Sequence, residues 1–301
     1  MSSNKWTPKD LPNLDGRTAI VTGATSGLGR ATATELSRAG AQVVLAVRNT
    51  ERGEQVAAEM PGTPEVRHLD LSDLASVRSF ADAWTGDVDI LVNNAGVMAV
   101  PEGRTKDGFE MQIGTNHLGH FALTGLMLGH VTDRVVILSS QAHRMGKIDL
   151  EDLNWERRRY MRWAAYGQSK LADLMFMLEL QRRLAAAGSS VRAVGAHPGY
   201  ASTELQGRTG SALQNGFMAI GNKLFAQSGE QGAWPTLYAA TQDIPGGSYV
   251  GPDGIGEQRG HPKLVSPNSA ATDADVARGL WELSERLTGV TFEIPVAVGR
   301  A

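Results

Sequence analysis

The feature that most constrains this chain is a regular alternation of short apolar runs with segments of helical pattern. The runs predict strands at 18–21, 42–47, 66–69, 88–92, 134–138 and 191–195, with a further strand at 247–250. Such alternation favours a parallel, doubly wound sheet with right-handed crossovers and helices on both faces. No linker-like stretch divides the chain. We therefore predict a three-layer α/β/α fold, with residues 1–301 in a single domain.

A glycine-rich turn, Thr22-Gly23-Ala24-Thr25-Ser26-Gly27-Leu28-Gly29, follows the first predicted strand and opens a helical segment. Glycines let the backbone turn tightly and approach a pyrophosphate, whose charge is met by free N–H groups and the positive end of the helix. A second strand follows at the spacing of a βαβ unit. A plain structural turn is the alternative, but the context favours a Rossmann-type dinucleotide site. Its predicted cofactor-binding residues are Gly23, Thr25, Ser26, Gly27, Leu28 and Gly29.

Tyr166 and Lys170 are four positions apart, so on a helix they share one face. A neighbouring ammonium favours the ionised form of a phenol, and such a pair can serve as the acid/base unit in carbonyl reduction or alcohol oxidation. Tyr160 lies nearby but has Ala164, not lysine, four residues on. The same spacing also occurs by chance on solvated helix faces. The pair therefore gains its weight from the glycine turn that precedes it.

Together with Asn93-Asn94-Ala95-Gly96, Asn116 and Ser140, these motifs resemble the short-chain dehydrogenase/reductase family over about residues 16–205. The family's spaced glycines are met at Gly23, Gly27 and Gly29, after Thr22. The resemblance implies a catalytic quartet of Asn116, Ser140, Tyr166 and Lys170. It also places Asn94, Ala95, Gly96, Tyr166, Lys170, Pro198, Gly199 and Thr203 at the cofactor.

The family resemblance also implies a role for each member of the quartet. Tyr166 exchanges a proton with the substrate oxygen, while a nicotinamide exchanges a hydride with the carbon. Lys170 assists Tyr166 and donates to the nicotinamide ribose, and Ser140 hydrogen-bonds the carbonyl. Asn116 holds a water that links Lys170 to solvent. Taken alone, Ser140 is more simply a strand-end residue bonded to backbone, and Asn116 a cap.

The gap between Ser140 and Tyr166 is wider than the common spacing of the family. With the segments 43–48 and 116–121, it resembles the retinol dehydrogenase-like branch. The gap includes three consecutive arginines at 157–159. They could steer an acidic substrate or a cofactor phosphate, although a solvated helix face is the simpler interpretation.

The end of the second predicted strand favours NADP(H) over NAD(H). NAD-binding relatives place an acid there for the adenosine ribose, whereas this chain has Val47. The next residue, Arg48, can meet a 2′-phosphate with charge-assisted hydrogen bonds, and Asn49 can add a donor. Asp70 is assigned to the adenine edge, and Leu71 is also predicted to bind the cofactor. The alternative is that Arg48 is merely an exposed loop residue.

Two later segments are predicted to cover the pocket. Residues near 200–232 contain many glycines and serines, and they lie where an open α/β sheet binds its ligand, so we predict a mobile lid. A second segment, near 251–287, is glycine- and proline-rich at first and then helical. The apolar lid residues predict a small, mainly apolar ketone, aldehyde or alcohol as substrate. They are Phe217, Met218, Ile220, Leu224 and Phe225.

Composition excludes several other classes of protein. A net charge of -3 does not indicate the basic surface that binds nucleic acid. The absence of cysteine rules out thiol nucleophiles. No run reaches the roughly 20 apolar residues that span a bilayer, and residues 1–10 lack a signal-peptide layout, so we expect a cytoplasmic protein. His117 and His120 lie three apart, but no spaced carboxylate or cysteine completes a metal site.

Two other functions compete with this one. An epimerase or dehydratase of the related extended branch also uses a Tyr/Lys pair, but the glycine spacing and residues 93–96 disfavour it. A non-catalytic nicotinamide-binding regulator would usually carry a broken quartet, and this quartet is intact. In this family the helices that carry Asn116 and Tyr166 often pair across a dimer axis. The resemblance therefore implies a homodimer or homotetramer.

Overall fold

The computed structural model describes residues 5–199 and 229–295. Its strands are β1 (Thr18–Thr22), β2 (Gln42–Val47), β3 (Glu65–His68), β4 (Val88–Asn93), β5 (Val131–Leu138), β6 (Arg192–Ala196), β7 (Tyr249–Pro252) and β8 (Pro262–Val265). They form one sheet in the order β3-β2-β1-β4-β5-β6-β7-β8. All neighbours pair in parallel except β7 and β8, which are antiparallel.

The described helices are α1 (Gly27–Arg38), α2 (Thr50–Ala57), α3 (Leu74–Asp82), α4 (Gly119–Met127), α5 (Arg162–Ala186), α6 (Gly229–Gly232), α7 (Trp234–Thr241) and α8 (Ala274–Thr288). Alternate residues of β1 enter different cores, since Ile20 packs with α3, α4, α5 and α8 whereas Val21 packs with α1, α2 and α7. Strands buried on both faces explain the continuous apolar runs. The predicted three-layer doubly wound fold is confirmed.

The strand order brings the site motifs to one edge. β1, β4, β5 and β6 are consecutive in the sheet and parallel, so the segments after them meet at their carboxyl ends. Those segments carry the glycine turn, Asn94–Gly96, Ser140 and Pro198-Gly199 respectively. Among the described helices, none is long and apolar enough to cross a membrane.

Two parts of the fold differ from the sequence analysis. β8 was not predicted; it begins at Pro262 and pairs only with β7, at the sheet edge where proline is tolerated. The arginines at 157–159 lie in a loop rather than on a helix. Asp152 accepts hydrogen bonds from backbone N–H groups of this loop, and the Arg158 guanidinium lies 3.7 Å from the Trp155 ring centroid.

The C-terminal helix α8 covers α4 and α5. Its Trp281 ring centroid lies 5.1 Å from that of Phe121 in α4 and 5.8 Å from that of Phe176 in α5. Phe292, beyond the helix, lies 4.4 Å from Trp281. The close fit extends to Gly125 of α4, where an added Cβ would lie 2.7 Å from the Phe292 ring. The outer faces of α4 and α5 are therefore buried within the chain.

We expect Trp281→Ala to lower the free energy of unfolding by about 3–5 kcal/mol, because it empties a closely packed aromatic cluster. Trp281 is 2% exposed, whereas Trp163 is 37% exposed and serves as the matched control. Denaturant titration of both variants measures the effect. Equal losses in the two variants would contradict the role given to this cluster.

Candidate active site

The glycine turn is packed against the loop that follows β4. Gly23 has a φ of 67°, and a Cβ there would lie 2.9 Å from Ala95. A Cβ on Gly29 would collide with Asn94 Nδ2 and lie 2.5 Å from the Gly23 carbonyl oxygen. Side chains at these positions would separate the two loops, which explains why both positions are glycine.

Thr22 joins the same two loops through hydrogen bonds. Its Oγ1 accepts from the backbone N–H groups of Asn94 and Ala95, each at 2.9 Å. Asn94 Nδ2 in turn donates to the Thr22 carbonyl at 2.7 Å. The predicted cofactor residues Gly23, Asn94 and Ala95 therefore lie together.

The start of α1 fits a phosphate group. Thr25 to Leu28 are half-buried rather than enclosed. Within α1, which is described in full, the N-cap Ser26 forms no side-chain capping bond and no acid occupies the first turn. Backbone N–H groups at such a helix start are available to an anion, which the helix dipole also favours. The turn thus suits the pyrophosphate of a dinucleotide.

The end of β2 presents a different surface. Val47 is buried, whereas Arg48 is exposed and forms no ion pair with any described residue. Asn49 caps α2 by accepting from Arg52 N at 2.8 Å, which leaves its amide nitrogen as the donor. Across from it, Asp70 Oδ1 accepts from the Ser72 hydroxyl at 2.6 Å.

Leu71, also assigned to the cofactor, is buried against α4. A Cβ on Gly119 would lie 3.0 Å from the Leu71 Cβ. This close packing gives Leu71 a structural role at the start of α4, beside the predicted adenine edge.

Asn116 lies in a π-helical turn, Ile113–Leu118, which the sequence analysis missed. Its Oδ1 accepts from Val97 N at 2.7 Å, and its Nδ2 donates to Val97 O and to Ser169 Oγ, both at 2.9 Å. The side chain therefore ties the loop after β4 to α5 instead of capping a helix. Turns of this kind recur at functional sites. The water assigned to Asn116 stays a prediction.

Lys170 is buried beside Asn116 and the end of β5. Its Nζ donates to Leu138 O at 2.9 Å and to Asp173 Oδ2 at 2.8 Å. A Cβ on Gly96 would lie 3.7 Å from this nitrogen. Burial opposes the charge, but Coulombic attraction to Asp173 and to Tyr166 raises the pKa of Lys170.

Ser140 follows β5 and caps the short helix Gln141–Met145, because its Oγ accepts from Ala142 N at 3.2 Å. The simpler interpretation of a hydrogen bond to backbone is thus met, and the hydroxyl proton is still available to donate. The same segment packs on α5: a Cβ on Gly146 would lie 2.7 Å from the Gly167 carbonyl carbon. Gly167 follows Tyr166, whose ring centroid lies 6.1 Å from that of Trp163.

His120 links Thr22 to the backbone of Asn116 through its two ring nitrogens. Its Nδ1 lies 2.8 Å from the Asn116 carbonyl oxygen, which can only accept, so Nδ1 carries the proton. Its Nε2, 2.9 Å from Thr22 Oγ1, therefore accepts from that hydroxyl. Burial lowers the pKa of His120 to about 3, which keeps the ring neutral. The sequence analysis considered His120 only as a metal ligand and missed this link.

His117 has a different partner, Ser284 of α8, whose Oγ lies 2.9 Å from Nε2. Burial lowers the pKa of His117 also, to about 3. Within residues 5–199 and 229–295, no group of three or more potential ligands is arranged for a metal ion.

Asp173 was also missed, although its spacing of three from Lys170 on α5 gives a signal. The side chains of this pair are both buried. Burial raises the pKa of Asp173 to about 6, against the lowering effect of Lys170.

Pro198 and Gly199 follow β6, where Gly199 has a φ of 69° and a Cβ there would lie 2.8 Å from the Gln258 carbonyl carbon. His197 Nδ1 accepts from Gly199 N at 3.2 Å, so its Nε2–H donates to Glu257 Oε2 at 3.2 Å. Residues 257–258 of the predicted covering segment thus lie at the site, whereas α8 lies over α4 and α5. Thr203 and the apolar lid residues at 217–225 are outside the described residues.

Comparison with known proteins decides the family. The family model described as short chain dehydrogenase matches residues 17–214. The chain belongs to the short-chain dehydrogenase/reductase family.

Relatives and structures of this family resemble nearly the whole chain. Retinol dehydrogenase 13 of Homo sapiens is 43% identical, over 92% of this chain and 86% of that protein. Polyprenol dehydrogenase of Mus musculus is 41% identical, over 94% and 87%. A crystal structure of an uncharacterized protein from Mycobacterium Paratuberculosis is 53% identical with a TM-score of 0.83, covering 97% of this chain and 100% of that one.

These similarities confirm the retinol dehydrogenase-like branch of the short-chain dehydrogenase/reductase family. The protein is an NAD(P)-dependent oxidoreductase that acts on CH–OH and C=O groups.

For this short-chain dehydrogenase/reductase, we expect Gly29→Ala to weaken binding of the nicotinamide cofactor and to lower the free energy of unfolding by roughly 1–3 kcal/mol, because the methyl group displaces Asn94. Gly129→Ala is the control, since a Cβ there meets nothing within 4 Å. Cofactor titration followed by fluorescence, with denaturant unfolding, measures both effects. If both variants bind cofactor like the unmodified protein, the close packing of the turn is not required.

Proposed function

We propose that this chain is an NADP(H)-preferring oxidoreductase that interconverts a mainly apolar ketone or aldehyde and its alcohol, with Tyr166 as the acid/base. One observation carries the proposal. Lys170 is buried one helical turn after the buried Tyr166, and its ammonium is held next to Gly96, at the loop that packs on the glycine turn. A lysine so placed can act both on the tyrosine and on a dinucleotide.

Each residue then has a role in moving or stabilising charge. The glycine turn would hold NADP(H), and the bound cofactor would supply or accept the hydride. Tyr166 donates its proton to the substrate oxygen in reduction and recovers it in oxidation. Ser140 donates its free hydroxyl proton to the same oxygen, because Oγ already accepts from Ala142 N. Asn116 is proposed to hold the water through which the proton returns to solvent.

An apolar substrate is supported by residues beside Tyr166. Trp163 packs edge-on against the tyrosine ring, and Met145 lies next to Gly167, 3.1 Å from where a Cβ would be. Both side chains are exposed large apolar groups, which a pocket can use to bind apolar surface. The names of two relatives point to retinol and polyprenol, which are apolar alcohols.

Preference for NADP(H) is supported by the end of β2. Val47 stands where an acid would repel a 2′-phosphate, and the exposed Arg48 guanidinium follows it directly. A bidentate guanidinium suits a phosphate group.

We also propose that the chain does not dimerise through α4 and α5. Trp281 and Phe292 already cover the outer faces of these helices. A homodimer or homotetramer of this chain would therefore use another surface.

We expect Tyr166→Phe to reduce turnover by about 10²-fold or more while cofactor affinity stays nearly unchanged, because only the ionisable oxygen is lost. Turnover is followed by cofactor absorbance on a panel of apolar alcohols and ketones with small acids as comparison. Tyr160→Phe is the matched control, since the Tyr160 hydroxyl lies 3.1 Å from Glu110 and from Val100 O rather than in the site. Wild-type turnover in Tyr166→Phe, or reaction only with charged acids, would refute the proposal.

We expect kcat/KM to favour NADP(H) over NAD(H) by about 10- to 150-fold, since a hydrogen bond to a charged group contributes roughly 1.5–3 kcal/mol. Arg48→Ala should largely erase this ratio. Arg52→Ala is the control, because Arg52 lies on α2 and bonds Gln55 at 3.1 Å. Measurement of both cofactors with one substrate decides the matter: an equal or NAD-favouring ratio in the unmodified protein would exclude the preference.

A further inference from the structure

The catalytic lysine has a buried counter-ion that the proposed mechanism does not use. Asp173 lies one turn beyond Lys170 on α5, and its Oδ2 accepts from Lys170 Nζ at 2.8 Å. The two side chains are 3% and 7% exposed, so the ion pair is formed away from solvent.

The ammonium is held from two directions. Nζ donates one hydrogen bond to Asp173 and a second to the Leu138 carbonyl at the end of β5, at 2.9 Å. An ammonium has three N–H donors, so the third is left for a ligand. Leu138 O supplies no net charge. Asp173 therefore provides the charge that makes burial of the ammonium tolerable.

The other groups around Asp173 do not replace this charge. Around its partner Lys170, Tyr166 acts from α5, His117 from the π-helical turn and His120 from the start of α4. His117 Nδ1 lies 3.8 Å from Asp173 Oδ1, but His117 is neutral because of its burial. From α8, the uncharged Ser284 contacts His117, with its Oγ 2.9 Å from Nε2. Among the described residues, Lys170 and Asp173 are thus each other's charged partner.

Building on the proposed function, we propose that Asp173 is the positioning residue of Lys170: it holds Nζ against the end of β5 and keeps it protonated while Tyr166 exchanges its proton. Asp173 touches neither the substrate nor the cofactor in this proposal. Its effect passes entirely through Lys170.

The first test needs neither cofactor nor activity. The Cε resonance of Lys170 is followed against pH by NMR in the full chain without cofactor, and is assigned by its loss in Lys170→Arg. In the unmodified protein, Lys170 should stay protonated to a higher pH than an ordinary lysine. In Asp173→Asn, which keeps an acceptor but removes the charge, its midpoint should fall by roughly 1–3 pH units.

Glu179→Gln is the matched control. Glu179 is a buried acid on the same helix, but it pairs with Arg182 and Arg183. We expect this variant to leave the Lys170 midpoint unchanged, and Asp173→Glu to restore a high midpoint. A Lys170 midpoint that is the same in Asp173→Asn and in the unmodified protein would overturn the proposal. A Lys170 midpoint below that of ordinary lysines in the unmodified protein would also overturn it. That measurement does not require an Asp173 variant that folds.

The second test uses turnover. The alkaline limit of kcat should move to lower pH in Asp173→Asn and not in Glu179→Gln, whereas a merely structural loss would lower kcat at every pH. An unmoved limit, with turnover intact, would also overturn the proposal. If the unmodified protein turned over no carbonyl or alcohol, the proposed function would fail, and the NMR titration would still decide whether Asp173 holds Lys170.

Discussion

The Thr22 hydroxyl is the interaction on which the rest of the site depends. It accepts from Asn94 and Ala95 of the loop after β4 and donates to His120 of α4. The other ring nitrogen of His120 donates a hydrogen bond to the Asn116 carbonyl. The Thr22 hydroxyl oxygen thus fixes the glycine turn relative to the π-helical turn that carries Asn116. Because Thr22, His120 and Asn116 are buried, breaking one of these bonds would leave buried polar atoms unpaired, which makes the arrangement cooperative.

The electrostatics of the site rest on keeping its histidines neutral. His117 and His120 lie close enough to Lys170 that a positive charge on either ring would oppose the ammonium, and burial prevents that charge. Among the described residues, Lys170 and its partner Asp173 therefore form the buried charged pair next to Tyr166. The protonated state of Lys170 therefore depends on this ion pair. Its Coulombic attraction is far stronger in buried surroundings than at an exposed surface.

The sequence was sufficient to predict the three-layer fold and most strands, because alternation and strand-turn-helix spacing are local patterns. It also named residues that the fold brings to one edge, including Gly23, Asn116 and Lys170. What it missed depends on contacts between distant segments. The π-helical turn depends on close packing at Gly114 and Gly119, and Thr22, the partner of His120, lies on β1. β8 was missed because its short segment pairs only with β7.

The reaction type and the specificity of this site depend on different groups of residues. Lys170 and Asn116 are anchored in part by main-chain groups, namely Leu138 O at the end of β5 and two backbone atoms of Val97 in the loop after β4. These main-chain hydrogen bonds form wherever this fold forms. For that reason the motifs alone can indicate the reaction. Arg48, Met145 and Trp163 instead stand at the exposed margin, where neighbouring loops rather than the sheet set their surroundings. Changes there can alter the cofactor or the substrate without disturbing the buried frame. The sequence therefore indicates the reaction type more directly than the substrate, because the identity of the substrate depends on loops that the sheet does not constrain.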